Sequence, residues 1–389
     1  MFKFSKTLAI MLVAVLFVFA VAGCGQQGET ESAGSDDSSQ DTSGEVIKIG
    51  NVGPLSGNTA TYGISTKNGV EVAIDEFNNA GGIDGKQIQF LAEDTRGDQA
   101  EAANAVTKLI EQDKVTAIIG GVLSSETMTG GPIANDAKIV MLSPSSTATG
   151  VPEIGDYIFR NCLSDEVQAI QLAEYAVSEL GLGKFAIMFH NNDYGLSLKD
   201  AFEAKAKELA EVVDIETYNQ DESDFRTQLT KIKGYNPDAL YIAGYYTEAS
   251  KIAQQAKDQG LDVQLLGADG FYSPKLLELG GSSVEGAIFT AGFFGDDPSE
   301  NVQNFVSAYK EKFNEEPDMF AAQAYDAAKI LLNALKNTGG QGGEALQEEM
   351  LKTKDFPGIT GTTSFTEIGD ALKDIIILKV DGGKFTKIR

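Results

Sequence analysis

Few residues in this 389-residue chain are typed and spaced for bond-breaking chemistry. The single histidine, His190, ends the apolar run 185–189, and one imidazole can act as a general base. No seryl or cysteinyl nucleophile is tied to it by motif. Ser307-Ala308-Tyr309-Lys310 matches S-x-x-K, but neither S-D-N nor K-T-G accompanies it, so helical surface residues explain the match. G-x-x-x-x-G-K-[ST], G-x-S-x-G and H-E-x-x-H do not occur, and no G-x-G-x-x-G follows a strand. Two cysteines and one histidine build neither a Cys/His zinc cage nor a disulfide framework. The expectation is a protein without catalysis, metal or cofactor.

Binding chemistry is better represented. Gly120-Gly121-Val122-Leu123-Ser124-Ser125-Glu126 follows one β-branched run, and Ser143-Pro144-Ser145-Ser146-Thr147-Ala148-Thr149 follows the next. Both stretches offer hydroxyls and backbone N–H groups without a Lys or Arg, which suits a single carboxylate. Helix capping explains one such loop; two at neighbouring strand ends bring a site into view. The second half places Gly244-Tyr245-Tyr246-Thr247-Glu248, Gly267-Ala268-Asp269-Gly270-Phe271 and His190-Asn191-Asn192-Asp193-Tyr194-Gly195 after strand-like runs. A carboxylate framed by tyrosines suits an ammonium group through charge pairing and cation–π contact. Together the two halves suit a zwitterion, although aromatic loop residues also simply cover strand ends.

These loops need a scaffold that brings strand ends together. Short β-branched runs at 46–52, 87–92, 115–119 and 139–142 alternate with helical stretches at 62–79 and 99–111. Val70, Ile74 and Phe77 repeat at helical spacing, as do Ala103, Val106 and Ile110. The rhythm restarts after Asp165, with strand-like runs at 185–189, 212–218, 239–243, 263–267 and 287–291. Helices are predicted over 301–313 and 319–335, and 375–380 with 384–388 form a hairpin about Asp381-Gly382-Gly383. This is α/β patterning with two doubly wound parallel-sheet lobes, whose ligands bind beyond the carboxyl ends of the strands.

Composition narrows the partners. With 31 Lys+Arg against 57 Asp+Glu, the net charge of −26 excludes a phosphate-neutralising nucleic-acid surface and a basic lipid-binding face. Residues 1–23 read as a secretory signal, with two lysines before an apolar run over 8–22. Val21-Ala22-Gly23-Cys24 resembles the lipobox of bacterial lipoproteins, which implies acylation of Cys24 and removal of what precedes it. Residues 24–44 are polar and acidic and read as a flexible linker. The folded part is therefore expected outside the cytoplasm, lipid-anchored to the outer face of the cell membrane. Cys162 has no base beside it in sequence and reads as a buried structural thiol.

Ile49-Gly50-Asn51-Val52-Gly53-Pro54-Leu55-Ser56-Gly57, Asn78-Asn79-Ala80-Gly81-Gly82-Ile83-Asp84-Gly85, Gly244-Tyr245, Gly267-Ala268-Asp269-Gly270 and Ala324-Tyr325-Asp326-Ala327 occur in order over 46–389. This text resembles the type I periplasmic-binding-protein family, in its branched-chain amino-acid-binding subfamily. The resemblance implies a monomeric solute receptor of an ABC importer, whose permease is made of separate chains. It also implies two closing lobes joined by three crossovers near 161–165, 290–293 and 373–375. Lobe 1 is then 45–163 plus 293–373, and lobe 2 is 164–292 plus 374–389. By position, Ser124, Ser145 and Thr147 match carboxylate-binding residues, and Tyr245 and Asp269 match amine-binding ones. Tyr62, Tyr194 and Tyr325 match cleft-lining positions, and Asp165 stands at a crossover. Family members often carry Glu where this chain has the shorter Asp269. The implied ligand is a neutral aliphatic amino acid; the alternative is an amide, urea-like or small aromatic acid solute.

Overall fold

The computed structural model describes residues 46–389. The predicted signal, Cys24 and the tether lie outside the described residues.

The first lobe begins as alternating strands and helices: β1 (Ile47–Gly53), α1 (Ala60–Asn79), β2 (Ile88–Asp94), α2 (Gln99–Lys108), β3 (Ala117–Gly120), α3 (Ser124–Asp136), β4 (Val140–Ser143) and β5 (Ile158–Arg160). Its five strands run in the order β2-β1-β3-β4-β5, all parallel. Every residue of β3, β4 and β5 is buried, which is why the runs at 115–119 and 139–142 read as continuous apolar stretches rather than alternating ones; β5 is only three residues long and ends in Arg160, and no strand pattern marks it. Asp98 caps α2 by accepting from the N–H groups of Ala100 and Glu101.

The second lobe repeats the scheme with α4 (Asp165–Ser178), β6 (Lys184–His190), α5 (Asp193–Leu209), β7 (Glu211–Tyr218), α6 (Arg226–Tyr235), β8 (Ala239–Ala243), α7 (Tyr246–Asp258), β9 (Gln264–Gly267), α8 (Pro274–Gly280) and β10 (Ile288–Ala291). The chain then returns to the first lobe with α9 (Glu300–Phe313), α10 (Met319–Asn337) and α11 (Gly343–Leu351). Helix α10 packs along α1 and against β3 and β4. A small antiparallel sheet follows, of β11 (Phe356–Gly358), β12 (Gly361–Phe365) and β13 (Ala371–Leu372). Its strands are two to five residues long and rich in Gly and Thr, so no strand pattern announced them. The predicted hairpin closes the chain as β14 (Ile376–Asp381) and β15 (Lys384–Lys387). It gives the second sheet the order β15-β14-β10-β9-β8-β6-β7, with β14 antiparallel to β10.

The backbone therefore passes between the two sheets three times, at 161–164, 292–299 and 373–375. The strand order reverses beside β1 and β3 in one lobe and beside β6 and β8 in the other. Both reversals leave a crevice at the carboxyl ends of the strands, and the two crevices face each other.

Candidate functional site

The wall from the first lobe is made by the ends of β3 and β4. Gly120 leaves β3 at φ +152°, where a Cβ would stand 2.5 Å from the Val52 carbonyl oxygen, so only glycine turns here without displacing β1. Helix α3 follows, and its start differs from the sequence expectation. Ser124 and Ser125 lie inside its first turn rather than capping it. The cap comes from Glu126, which accepts from the N–H groups of Val122 at 3.0 Å and Leu123 at 2.9 Å, while Thr95 donates its hydroxyl to the same carboxyl. Burial pushes that carboxyl up to about 7 against these hydrogen bonds. With the cap supplied from within the helix, the Ser124 side chain lines a cavity and accepts from Ala148 N–H at 3.2 Å.

The 143–149 loop is laced onto that helix start. Ser143 donates to the Gly121 carbonyl at 2.7 Å, Ser145 to the Val122 carbonyl at 2.7 Å, and Ser146 N–H donates to the Ser143 hydroxyl at 2.9 Å. The Thr147 hydroxyl is buried and stands beside the Asp165 carboxyl.

The opposite wall is aromatic and acidic. Tyr194 and Tyr245 stack with centroids 5.1 Å apart and planes 3° from parallel. Tyr194 donates its hydroxyl to Asp269 Oδ1 at 2.7 Å and accepts from Gly270 N–H at 2.8 Å. Burial pushes the Asp269 carboxyl up to about 6, opposed by the hydrogen bonds of Tyr194, Gln168 and the backbone. Tyr62 crosses from the first lobe, stacking on Phe320 at 4.2 Å and donating its hydroxyl to the Gly270 carbonyl at 2.5 Å.

These groups close down on a narrow space of about 10 Å³, lined by Ser124, Ser145, Val122, Leu123 and Phe320 on one side and Tyr194, Tyr245, Asp269 and Gly270 on the other, with Tyr62 between. No lysine or arginine lines it. The lobes touch around its rim: Thr247 donates to the Asn58 carbonyl at 3.0 Å and Thr149 N–H donates to Ser197 at 3.0 Å. Outside the rim lies a polar chamber of about 390 Å³, open to solvent, and Leu123 and Tyr245 border both spaces.

Six of the nine residues singled out in the folded part line the cavity: Tyr62, Ser124, Ser145, Tyr194, Tyr245 and Asp269. Thr147 and Asp165 do not; they are joined by an Asp165 N–H bond to the Thr147 carbonyl at 2.9 Å. The fully buried Asp165 carboxyl has the Thr147 and Ser197 hydroxyls beside it. Burial and the Asp269 charge push its carboxyl well above the usual range. Tyr325 lies elsewhere, donating to Glu76 at 2.8 Å and packing on Phe305. The same helix instead sends Phe320 into the cavity, because residues five apart on an α-helix point about 140° away from each other. His190 borders the outer chamber, stacked on Tyr218, and burial holds its imidazole down at about 4, hence neutral. Val122, Leu123 and Phe320 carry no polar signal and were legible only as core. Among the described residues, no group of three or more His, Cys, Asp or Glu side chains could hold a metal ion.

Two doubly wound lobes closed on a small space between them, with hydroxyls on one side and a carboxylate on the other, define a solute receptor. The chain belongs to the periplasmic binding protein family, whose model matches residues 46–384. It is thus a substrate-binding protein rather than an enzyme, of a family that works outside the cytoplasm. Leu/Ile/Val-binding protein homolog 2 of Brucella abortus is 30% identical over 334 residues, covering 85% of this chain and 88% of the relative. The leucine-binding protein LivK of Thermotoga maritima superposes with a TM-score of 0.84 at 33% identity, covering 88% of this chain and 98% of that one. The branched-chain amino acid transporter substrate-binding protein LivJ of Streptococcus pneumoniae, solved with isoleucine, gives a TM-score of 0.82 at 34% identity, covering 88% of this chain and all of that one (100%).

Proposed function

We propose that this protein is the extracytoplasmic receptor of an ABC importer and captures a neutral aliphatic amino acid of the branched-chain type between its lobes. The observation that carries the reading is the polarity of the cavity: hydroxyls and a helix start on one wall, Asp269 in an aromatic frame on the other, and no basic side chain. The ligand carboxylate lies against Ser124 and Ser145, and its ammonium group against Asp269 and Tyr245. Val122, Leu123 and Phe320 receive the aliphatic side chain. The names of the Brucella, Thermotoga and Streptococcus relatives support the same ligand class. Closure follows from the geometry, since only the closed state lets both walls touch one zwitterion.

The chain is tethered through an acylated Cys24 and hands its ligand to permease chains at the membrane. Metabolic labelling with a palmitate analogue tests the anchor: labelling lost in Cys24→Ser supports it, and labelling kept in that variant removes it. Thermal unfolding of ligand-stripped protein against amino acids, amides and small acids tests the ligand. A native-state ligand at 100 times its dissociation constant adds about 2.7 kcal/mol, several degrees in the midpoint. Shifts confined to Leu, Ile, Val and close relatives are expected. Shifts only with amine-free solutes would keep the receptor and discard the Asp269 pairing.

A further inference from the structure

A desolvated carboxylate in a cavity without a lining cation needs fixed dipoles held rigidly, since loose dipoles lose their advantage over water. The 143–149 loop supplies them, and one side chain behind it holds the loop. Arg160 ends β5 and is 3% exposed. Its Nη1 donates to the carbonyl oxygens of Thr147 at 2.9 Å and Ala148 at 3.0 Å. Its Nε and Nη2 form a two-pronged pair with Asp370, at 2.5 and 2.9 Å. The backbone repeats the connection, with Arg160 N–H donating to the Gly369 carbonyl at 3.1 Å. The next residue pins the other end of the loop, as Asn161 N–H donates to the Ser143 carbonyl at 2.8 Å. Between these fixed ends sit Ser145 and Thr147, and Ala148 N–H reaches Ser124.

We propose that Arg160 is a positioning residue for ligand recognition: clamped by Asp370, it holds the carbonyls of residues 147 and 148 so that the loop keeps its donors aimed at the ligand carboxylate. The inference rests on the amino-acid reading above. It also links the pocket to the third crossover, because Asp370 lies three residues before Lys373. The planar guanidinium fork is what makes the arrangement possible, for it serves a carboxylate and two carbonyls at once. A lysine ammonium keeps the charge and loses that geometry.

The test is equilibrium binding of leucine and of leucinamide, which lacks the carboxylate, to stripped wild-type, Arg160→Lys and Asp370→Asn proteins. Arg160→Lys is expected to weaken leucine at least about 10-fold and leucinamide less than about 3-fold, because only the first ligand uses the loop donors. Asp370→Asn is expected to act in the same direction and less strongly. A variant that is folded by its ligand-free unfolding transition but loses both ligands equally, or neither, overturns the proposal. If Arg160→Lys does not fold, Asp370→Asn decides by the same criterion. A wild-type protein that binds no amino acid overturns the ligand reading itself, and the role of Arg160 with it.

Discussion

Tyr194 and Asp269 are joined by a 2.7 Å hydrogen bond from the phenol to Oδ1, and the same phenol oxygen receives the Gly270 N–H. This fixes the carboxylate in a buried aromatic frame, and it leaves the Tyr194 proton committed, since burial and the Asp269 charge hold the phenol well above its ordinary range. Tyr194→Phe keeps the stacking on Tyr245 and removes the donor. It is expected to weaken amino-acid binding by about 1.5–3 kcal/mol, the scale of a hydrogen bond to a charged group, as read by calorimetry.

The pH dependence of binding follows from the same carboxyl. An ammonium ligand needs Asp269 ionised, and burial places its ligand-free titration at about 6. Affinity is therefore expected to be flat above that pH and to fall tenfold per unit well below it. Tyr194→Phe removes a bond that favours the charged form, so the same edge moves upward.

Ligand-free stability has the opposite slope. Asp269 and Asp318 are raised to about 6 and Glu126 to about 7, each by burial, above their values in the unfolded chain. At these three carboxyls the native state binds more protons than the unfolded one between pH 4 and 7, outweighing the one imidazole of His190, whose depressed titration has the opposite slope, so stability falls as pH rises. The midpoint of the stripped protein is expected to be higher at pH 5 than at pH 7.5, while the increment added by ligand is larger at pH 7.5. A stripped protein more stable at pH 7.5 contradicts the buried neutral carboxyls.

Leu123 stands between the small cavity and the outer chamber, 7% exposed. Leu123→Ala joins the two spaces on that side. It is expected to cost about 2 kcal/mol of stability, the low end for a buried leucine because the site borders solvent. It is also expected to shift preference from leucine toward longer unbranched side chains, measured by competition.

The alternation of strand and helix was legible because β3, β4 and β8 are buried on both faces and consist almost wholly of apolar residues. The site was legible where a polar or aromatic type stands at a strand end, as with Ser124, Ser145, Tyr245 and Asp269. It was not legible where side-chain direction decides. Phe320 and Tyr325 share one helix, and only the docking of α10 on α1 tells which of them reaches the cavity. Nor did composition reveal Glu126 as the cap of α3, because the serines before it satisfy the same pattern. Arg160 has no signal in the sequence, because the Asp370 that fixes it stands 210 residues away.

The proposed receptor relies on Asp269 and the Ser124/Ser145 wall together to select a neutral aliphatic zwitterion. The most direct test of this selection is calorimetric titration of stripped wild-type protein and Asp269→Ala with leucine and with 4-methylpentanoate, which is leucine without its amine. The wild type is expected to bind leucine and not the acid, and Asp269→Ala to lose about 2–5 kcal/mol of leucine affinity, the scale for removing one member of a buried charge pair. Unchanged leucine affinity in Asp269→Ala, or tight binding of 4-methylpentanoate by the wild type, contradicts it.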